Sequence, residues 1–430
     1  MKPLAPQAIR LFQAGWDAEQ SGNWHIAVEA YDCCLSITGP HPQVLCNLAQ
    51  VLWMSEQLTA AEHALHQALQ LAPQEGKLWR LQATLQRDLN RFEAAEQAFQ
   101  RAARFGFTDA TTSWNHSETL IGLGRYGEAF ALAEQRLSEP GFQGLFHRTA
   151  PYWQNWPHCR KLLVWSEQGL GDTLQFVRWL PLLQHRLPAL EQLVLDVEAP
   201  LVQLMQRGLA WLPRPLEVRA KQANPAPWQG AQGSLLSLPH RLGGAPAPLP
   251  GAYLLDPAWQ RRLRTERSRP RVGVVWASGH RQDDPNTARL YRRRSLPTNA
   301  LVALLTGLDA LGAELVNLQI GPDRQQASAW KGSFAGALDP SADFAAMAEQ
   351  MADLDLTLSV DTAAAHLAGA TGLTAWVLLP WNADGRWLRQ RSDSPWYPSL
   401  RLWRQPAAGD WPGLVDAVLQ GFASWLIRSR

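Results

Sequence analysis

The stretch LTLSVDTAAAHLAGATG, Leu356 to Gly372, changes character at Asp361 and Thr362. Before that point Leu356, Leu358 and Val360 alternate with Thr357 and Ser359, the two-residue period of a short strand. After it come Ala363, Ala364, Ala365, Leu367, Ala368 and Ala370, small or helix-forming residues around one histidine, His366. Thr362 or Asp361 is placed to cap the helix. A strand that runs straight into a helix aims unpaired backbone N–H groups outward at the strand's carboxyl end. Open α/β sheets take phosphorylated ligands there. The stretch therefore predicts a parallel sheet and raises the question of a phosphate site.

Strands alternate with helices on both sides of it. KLLVW (161–165) and QLVLDV (192–197) read as strands around the amphipathic TLQFVRWLPLLQHRL, and PLEVRA and GSLLSLP follow. A Pro/Gly-rich stretch, RLGGAPAPLPGAYLLDPAW, interrupts the pattern. It restarts with RVGVVWASG (271–279), continues through ELVNLQIG, the opening stretch and TAWVLLP, and closes on the helix DWPGLVDAVLQGFASWLI. Such alternation implies parallel sheets with ligands at strand carboxyl ends, here divided into two lobes.

The first third of the chain repeats itself. Ala27, Ala61, Ala95 and Ala129 are spaced by 34 residues, as are Trp24, Leu58, Phe92 and Tyr126, and Tyr31, Leu65, Phe99 and Ala133. The small residues Gly15, Ala49, Ala83 and Ser117 and the turn-like Gly22, Glu56, Asn90 and Gly124 keep the same spacing. Over residues 5–140 this resembles the tetratricopeptide repeat, a pair of antiparallel helices with small residues where they cross. Stacked repeats form a curved solenoid whose concave face holds a peptide or protein.

Composition narrows the classes. With 40 Lys+Arg against 38 Asp+Glu, nothing global points to nucleic acid or membrane. Cys33, Cys34, Cys46 and Cys159 lack metal-ligand spacing, so a reducing compartment is expected. MKPLAPQAIRLFQ has no apolar core of a signal sequence and no run is long enough to span a bilayer, so no stable membrane insertion and a cytoplasmic location are expected. The 21 tryptophans fill cores or line a cleft.

At the first strand's end lies SEQGLGDTLQF (166–176). Gly169 and Gly171 allow a sharp turn, and Asp172 is either a first-turn acid favouring the helix dipole or a carboxylate placed to take a proton from a hydroxyl. Leu174 stands where a dinucleotide fingerprint needs glycine. Asp353-Leu354-Asp355 spells a DxD, but it precedes the strand at Leu356, away from the carboxyl edge, and reads as structural; no metal is expected.

GLGDTLQFVRWLPLL (169–183) together with SVDTAAAHLAGATG (359–372) resembles the ADP-heptose–lipopolysaccharide heptosyltransferase family, glycosyltransferase family 9-like, and more broadly the two-lobed GT-B glycosyltransferases. RWLRQRSDSPWYPSLRLWRQ (386–405) resembles the ending of bacterial tetratricopeptide proteins that carry such a domain. The resemblance covers about residues 160–425 and implies an α solenoid followed by an α/β two-lobed GT-B fold. Its parts are the solenoid at 1–142, an acceptor-side lobe at 143–258 and a nucleotide-sugar lobe at 259–430.

The resemblance further implies Asp172 as general base and Thr362, Ala363 and Ala364 as a cradle for the donor diphosphate. His366 would lie near that diphosphate or the sugar, and Asp361 would orient the loop. Arg294, with Arg292 and Arg293 as rivals, would neutralise the leaving group. Arg289 and Arg292 otherwise read as a solvated charge run, as does RRLRTERSRPR (261–271). Beyond Gly171, Trp381, Trp387 and Trp396 are placed to stack on a sugar or base, and Asp384, Arg386 and Asp393 to bind hydroxyls. The other reading of 380–398 is a crossing segment packed by its tryptophans. The implied activity is inverting, metal-independent and cofactor-free transfer from a nucleotide sugar to a protein or glycan acceptor recruited by the repeats, with no nucleic acid involved. A non-catalytic scaffold with a degenerate transferase domain and a nucleotide-sugar epimerase or hydrolase are the alternatives.

Overall fold

The structure is a computed structural model and describes residues 5–138, 152–153, 158–243, 251–259, 268–279 and 284–429. It divides into two compact units. The first comprises the described residues up to Arg136 together with 284–289 and 384–386, and the second comprises the rest.

The first unit is a tetratricopeptide-like stack of helix pairs: α1 (Pro6–Gln20) with α2 (Trp24–Thr38), α3 (Pro42–Met54) with α4 (Leu58–Leu71), α5 (Gly76–Asp88) with α6 (Phe92–Arg104), and α7 (Ala110–Gly122) with α8 (Tyr126–Ala133). The sequence period has a physical cause at each register. Ala27, Ala61, Ala95 and Ala129 are each wholly buried, because helices cross there too closely for a larger side chain. At the Gly15 crossing a Cβ would lie 2.7 Å from the Tyr31 ring. The turn register is left-handed every time, with φ of 70° at Gly22, 64° at Glu56, 59° at Asn90 and 75° at Gly124. Glycine meets that demand without strain in two repeats, whereas Glu56 and Asn90 meet it at a cost.

The second unit holds two wholly parallel sheets. In the first, β1 (Lys161–Trp165), β2 (Gln192–Val197), β3 (Leu216–Ala220) and β4 (Ala231–Ser234) lie in the order β3-β2-β1-β4. The helices α9 (Leu170–Phe176), α10 (Leu180–Arg186), α11 (Val202–Gly208) and α12 (Leu238–Leu242) accompany them. The second sheet contains β5 (Arg271–Val275), β6 (Glu314–Asn317), β7 (Gly336–Ala337), β8 (Leu356–Val360), β9 (Ala375–Leu379) and β10 (Leu400–Arg404). Its order is β10-β9-β8-β5-β6-β7. Counted from β5, that is the doubly wound order 3-2-1-4-5-6, which opens a crevice where the winding reverses, between β5 and β8. The helices following β5 are α13 (Pro285–Arg294), α14 (Thr298–Ala310), α15 (Phe344–Ala352), α16 (Ala363–Thr371) and α17 (Trp411–Ser429). Leu301, Leu304, Leu305 and Leu308 of α14 and Leu414, Val415, Val418 and Phe422 of α17 build the core against β5 and β8.

Several elements differ from the sequence reading. Thr357 and Ser359 are as buried as their apolar neighbours, because helices cover both faces of a parallel sheet and erase the inside–outside distinction. The amphipathic 173–187 stretch is two short helices joined by a 3-10 turn at Val177–Trp179. LLS at 235–237, read as strand, is a 3-10 turn after β4. Arg289, read as part of a solvated run, is 3% exposed. Residues 284–289 and 384–386 pack with the helical unit rather than with the lobe to which the sequence assigned them, so that boundary is not contiguous. Of the run 261–271, only residues from Ser268 fall within the described residues. The Pro/Gly-rich segment is likewise outside them at 244–250.

Candidate functional site

Asp361 follows the last residue of β8 at the crevice and Thr362 is the N-cap of α16, with φ −151° and ψ 173°. The Thr362 side chain makes no capping bond. A helix leaves its first N–H groups without intrahelical partners, and the helix dipole adds partial positive charge there. In α16 those groups belong to Thr362, Ala363 and Ala364, of which the first two are half-buried. Arg294, at the last residue of α13, places Nε 3.5 Å from Asp361 Oδ2. Asp361 is 4% exposed, and its Oδ2 has no hydrogen bond. A buried carboxylate oxygen in that state favours a hydroxyl or amine donor from a ligand.

His366 lies inside the protein. It is 3% exposed, with Nδ1 2.8 Å from the Tyr397 hydroxyl and its ring beside Trp387 at a centroid distance of 5.3 Å. Its other edge meets the α9 turn, for a Cβ on Gly171 would lie 2.8 Å from His366 Cδ2. The two glycine- and alanine-rich motifs that stand far apart in sequence are thus packed together. Asp172, one residue on, is half-buried and accepts a hydrogen bond from Gly169 N–H at 3.0 Å. The chain enters this turn through Gln168 at φ 65°, a left-handed conformation that non-glycine residues seldom adopt.

Of the tryptophans proposed to stack on a sugar, Trp387 and Trp396 are buried to within 1% and pack protein. For both, the crossing-segment alternative describes the structure. Trp381 is half-buried, and its backbone N–H donates to Gln405. Asp384 and Arg386 are ion-paired with each other at 3.1 Å and belong to the helical unit, whereas Asp361 belongs to the second unit. Asp393 pairs with Arg391 at the surface. Arg292 is exposed, and Arg293 donates to Asn382 O at 3.4 Å. Asp353 and Asp355 both engage Arg271, through its side chain and its backbone N–H respectively, as a structural clasp.

Sequence reasoning missed three features of this region. Gln319 closes the end of β5 by accepting from Trp276 and Ala277 N–H at 3.0 and 2.9 Å. Arg404 ends β10 and donates to Trp387 O at 2.7 Å; burial lowers its pKa to about 10, with Asp361 opposing. On the first sheet's carboxyl edge, Glu198 is bonded by Ser166 at 2.9 Å and Lys221 at 2.8 Å. Burial raises its pKa, but Lys221 and Ser166 outweigh that and hold it below the usual range. Only the strand-end position of these residues marked them in sequence, and β10 itself lay hidden in the arginine- and tryptophan-rich ending.

In the helical unit a separate cleft of about 250 Å³ is lined by Phe12, Trp16, Glu19, Asn47, Gln50 and Lys77, among others. Burial raises the pKa of Glu19, which Tyr31 and Gln50 bond at 3.1 and 3.0 Å. Among the described residues no helix is long and apolar enough to cross a membrane.

No protein-family model matches the chain. It is similar to Protein FlbA of Caulobacter vibrioides, with 26% identity over 393 residues covering 83% of this chain. The match takes in 63% of FlbA, so the chain spans less than two thirds of that relative's length. Among solved structures, the MamA crystal structure is 17% identical over 33% of this chain and 76% of its own, with a TM-score of 0.29. YrrB, described as a TPR protein with an unusual peptide-binding site, is 18% identical over 31% of this chain and 69% of its own, with a TM-score of 0.28.

Proposed function

We propose that the chain is an inverting, metal-independent glycosyltransferase that uses a nucleotide-sugar donor and recruits its acceptor, a protein or a glycan, through the repeats. The observation that carries this reading is the N-terminus of α16 at the crevice of a doubly wound sheet. There Arg294 stands 3.5 Å from Asp361, whose Oδ2 is buried without a hydrogen bond. The N–H groups of 362–364 and the Arg294 guanidinium suit a diphosphate, and the open acceptor on Asp361 suits a sugar hydroxyl. In the transfer, Asp172 takes the proton of the acceptor hydroxyl as its oxygen attacks the anomeric carbon. The bond from that carbon to the diphosphate breaks, and the negative charge leaves onto α16 and Arg294. Asp172 can do this while bonded to Gly169, because a carboxylate accepts on both oxygens.

A scaffold reading is favoured by one observation: Trp387, with no exposed surface, packs beside His366 in place of a ligand. Thermal unfolding with ADP, GDP, UDP, CDP and dTDP, and their sugar conjugates, separates the two. A ligand at about 100 times its dissociation constant adds roughly 2.7 kcal/mol to the state that binds it. The transfer reading expects one nucleotide to raise the midpoint and Arg294→Ala to abolish the rise. If no nucleotide shifts the wild-type protein, the transfer reading fails and the scaffold stands.

A further inference from the structure

Arg178 follows α9 and has no exposed surface. Its guanidinium lies among three rings, 4.7 Å from the centroid of Tyr253, 4.8 Å from Tyr397 and 5.3 Å from Trp396. Nε donates to Gln175 O at 2.9 Å and Nη1 to Trp396 O at 2.9 Å. Nη2 donates to the Tyr253 hydroxyl at 3.2 Å, and that hydroxyl donates onward to Leu174 O in α9 at 2.7 Å. Tyr397 stands in the same relation on the other side. Its hydroxyl is hydrogen-bonded by the Arg178 side chain and lies 2.8 Å from His366 Nδ1 in α16.

Donor counting favours one direction for the last bond. A guanidinium can only donate, so the Tyr397 oxygen accepts from Arg178 and keeps its own proton to give. The cation also makes that oxygen a poorer acceptor and its O–H a stronger donor, as at Tyr253. An Nδ1–H aimed at Tyr397 would set a second donor against an oxygen already facing the guanidinium charge. We propose that Arg178 is a positioning residue that fixes the tautomer of His366: Tyr397 donates to Nδ1, and the imidazole proton stays on Nε2. The Cδ2–Nε2 edge faces the α9 turn, where a Cβ on Gly171 would lie 3.3 Å from Nε2. His366 therefore presents a neutral Nε2–H donor toward the α9 turn, and proton removal is left to Asp172. The tautomer belongs to the ligand-free chain, so this inference is tested independently of the transfer reading.

The test is the long-range ¹H–¹⁵N spectrum of the histidine rings at neutral pH in the full chain labelled with ¹⁵N-histidine, with His366 assigned by the signal lost in His366→Gln. The expected pattern is one unprotonated Nδ1 and one protonated Nε2. In Arg178→Met, with the fold checked by near-ultraviolet circular dichroism, the two nitrogens move to averaged shifts. If Arg178→Met does not fold, Tyr397→Phe leaves the arginine in place and is expected to release the tautomer in the same way. A wild-type signal with the proton on Nδ1 overturns the proposal. So does an unchanged His366 pattern in a folded Arg178→Met or, failing that variant, in a folded Tyr397→Phe.

Discussion

Gly171 and His366 stand 195 positions apart in sequence, and a Cβ on the glycine would come 2.8 Å from the histidine's Cδ2. Real Cβ atoms do not approach that closely, so something must move in Gly171→Ala. The imidazole is buried, hydrogen-bonded to Tyr397 and flanked by Trp387, so it has no room to swing. Overpacking of this kind costs about 1–3 kcal/mol. Gly127 in α8 is the control, because a Cβ added there would meet nothing within 4 Å. At that position alanine gains about 0.4–1 kcal/mol, chiefly by restricting the unfolded chain. Equilibrium urea unfolding should show opposite signs for Gly171→Ala and Gly127→Ala.

Asp172 separates a structural from a chemical role. Its Oδ2 accepts from Gly169 N–H at 3.0 Å, which satisfies a donor at the α9 entry. Asp172→Asn keeps an oxygen for that bond but cannot hold a proton taken from a hydroxyl. Asp172→Ala loses both, at about 0.5–2 kcal/mol in stability, the range for a lost helix cap. The expectation is a wild-type unfolding midpoint for Asp172→Asn with transfer to acceptor abolished, and both stability and transfer reduced in Asp172→Ala. Asparagine supporting transfer at the wild-type rate would remove Asp172 from the base role.

The repeats were readable because one geometric demand recurs at one spacing. The positions of Ala27, Ala61, Ala95 and Ala129 admit no larger side chain, and those of Gly22, Glu56, Asn90 and Gly124 all turn left-handed. The β8–α16 joint was readable because Asp361-Thr362 interrupts two opposing periodicities. What stayed hidden depends on contacts across the chain. A sequence does not say that Trp387 packs against His366, that Tyr397 reaches Nδ1, or that Asp384 and Arg386 pair within the helical unit. Arg178 and Arg404 look like surface charge in one dimension, and only burial marks them as structural cations.

Glu96 gives the helical unit an acid-sensitive point. Its side chain is 9% exposed and pairs with His116, and Arg125 lies 3.0 Å away. Burial pushes its pKa up, but the hydrogen bond and charge of His116, with help from Gln100 and Arg125, outweigh this and hold it below the ordinary 4.5. A carboxylate whose folded pKa is depressed stabilises above its unfolded pKa, and that contribution is lost as pH falls through the folded value. Glu96→Gln should therefore be less stable than wild type at neutral pH, by about 1–3 kcal/mol. The gap should narrow as pH drops below 4.5. Urea unfolding of both proteins across that range checks it, and a gap that stays constant would exclude the linkage.

Arg289 offers the sharpest test of the helical unit's packing. Its side chain is 4% exposed and its guanidinium lies 4.4 Å from the centroid of the Trp53 ring. Nη2 donates to Asp88 Oδ2 at 2.6 Å, and Nε is 2.5 Å from Glu56, paired in charge though outside hydrogen-bond geometry. The Trp53 indole N–H also donates to Asp88, at 2.7 Å. Removing the arginine takes a countercharge from the buried Asp88 carboxylate, and breaking such a pair costs about 3–5 kcal/mol. Glu56→Gly removes only the more exposed partner, and it relieves a φ of 64° that glycine adopts freely. Arg289→Ala should therefore lower the urea midpoint sharply, while Glu56→Gly stays within about 1 kcal/mol of wild type, since an exposed ion pair is worth little. If the two variants cost the same, Asp88 draws its compensation from elsewhere and Arg289 is not what balances it.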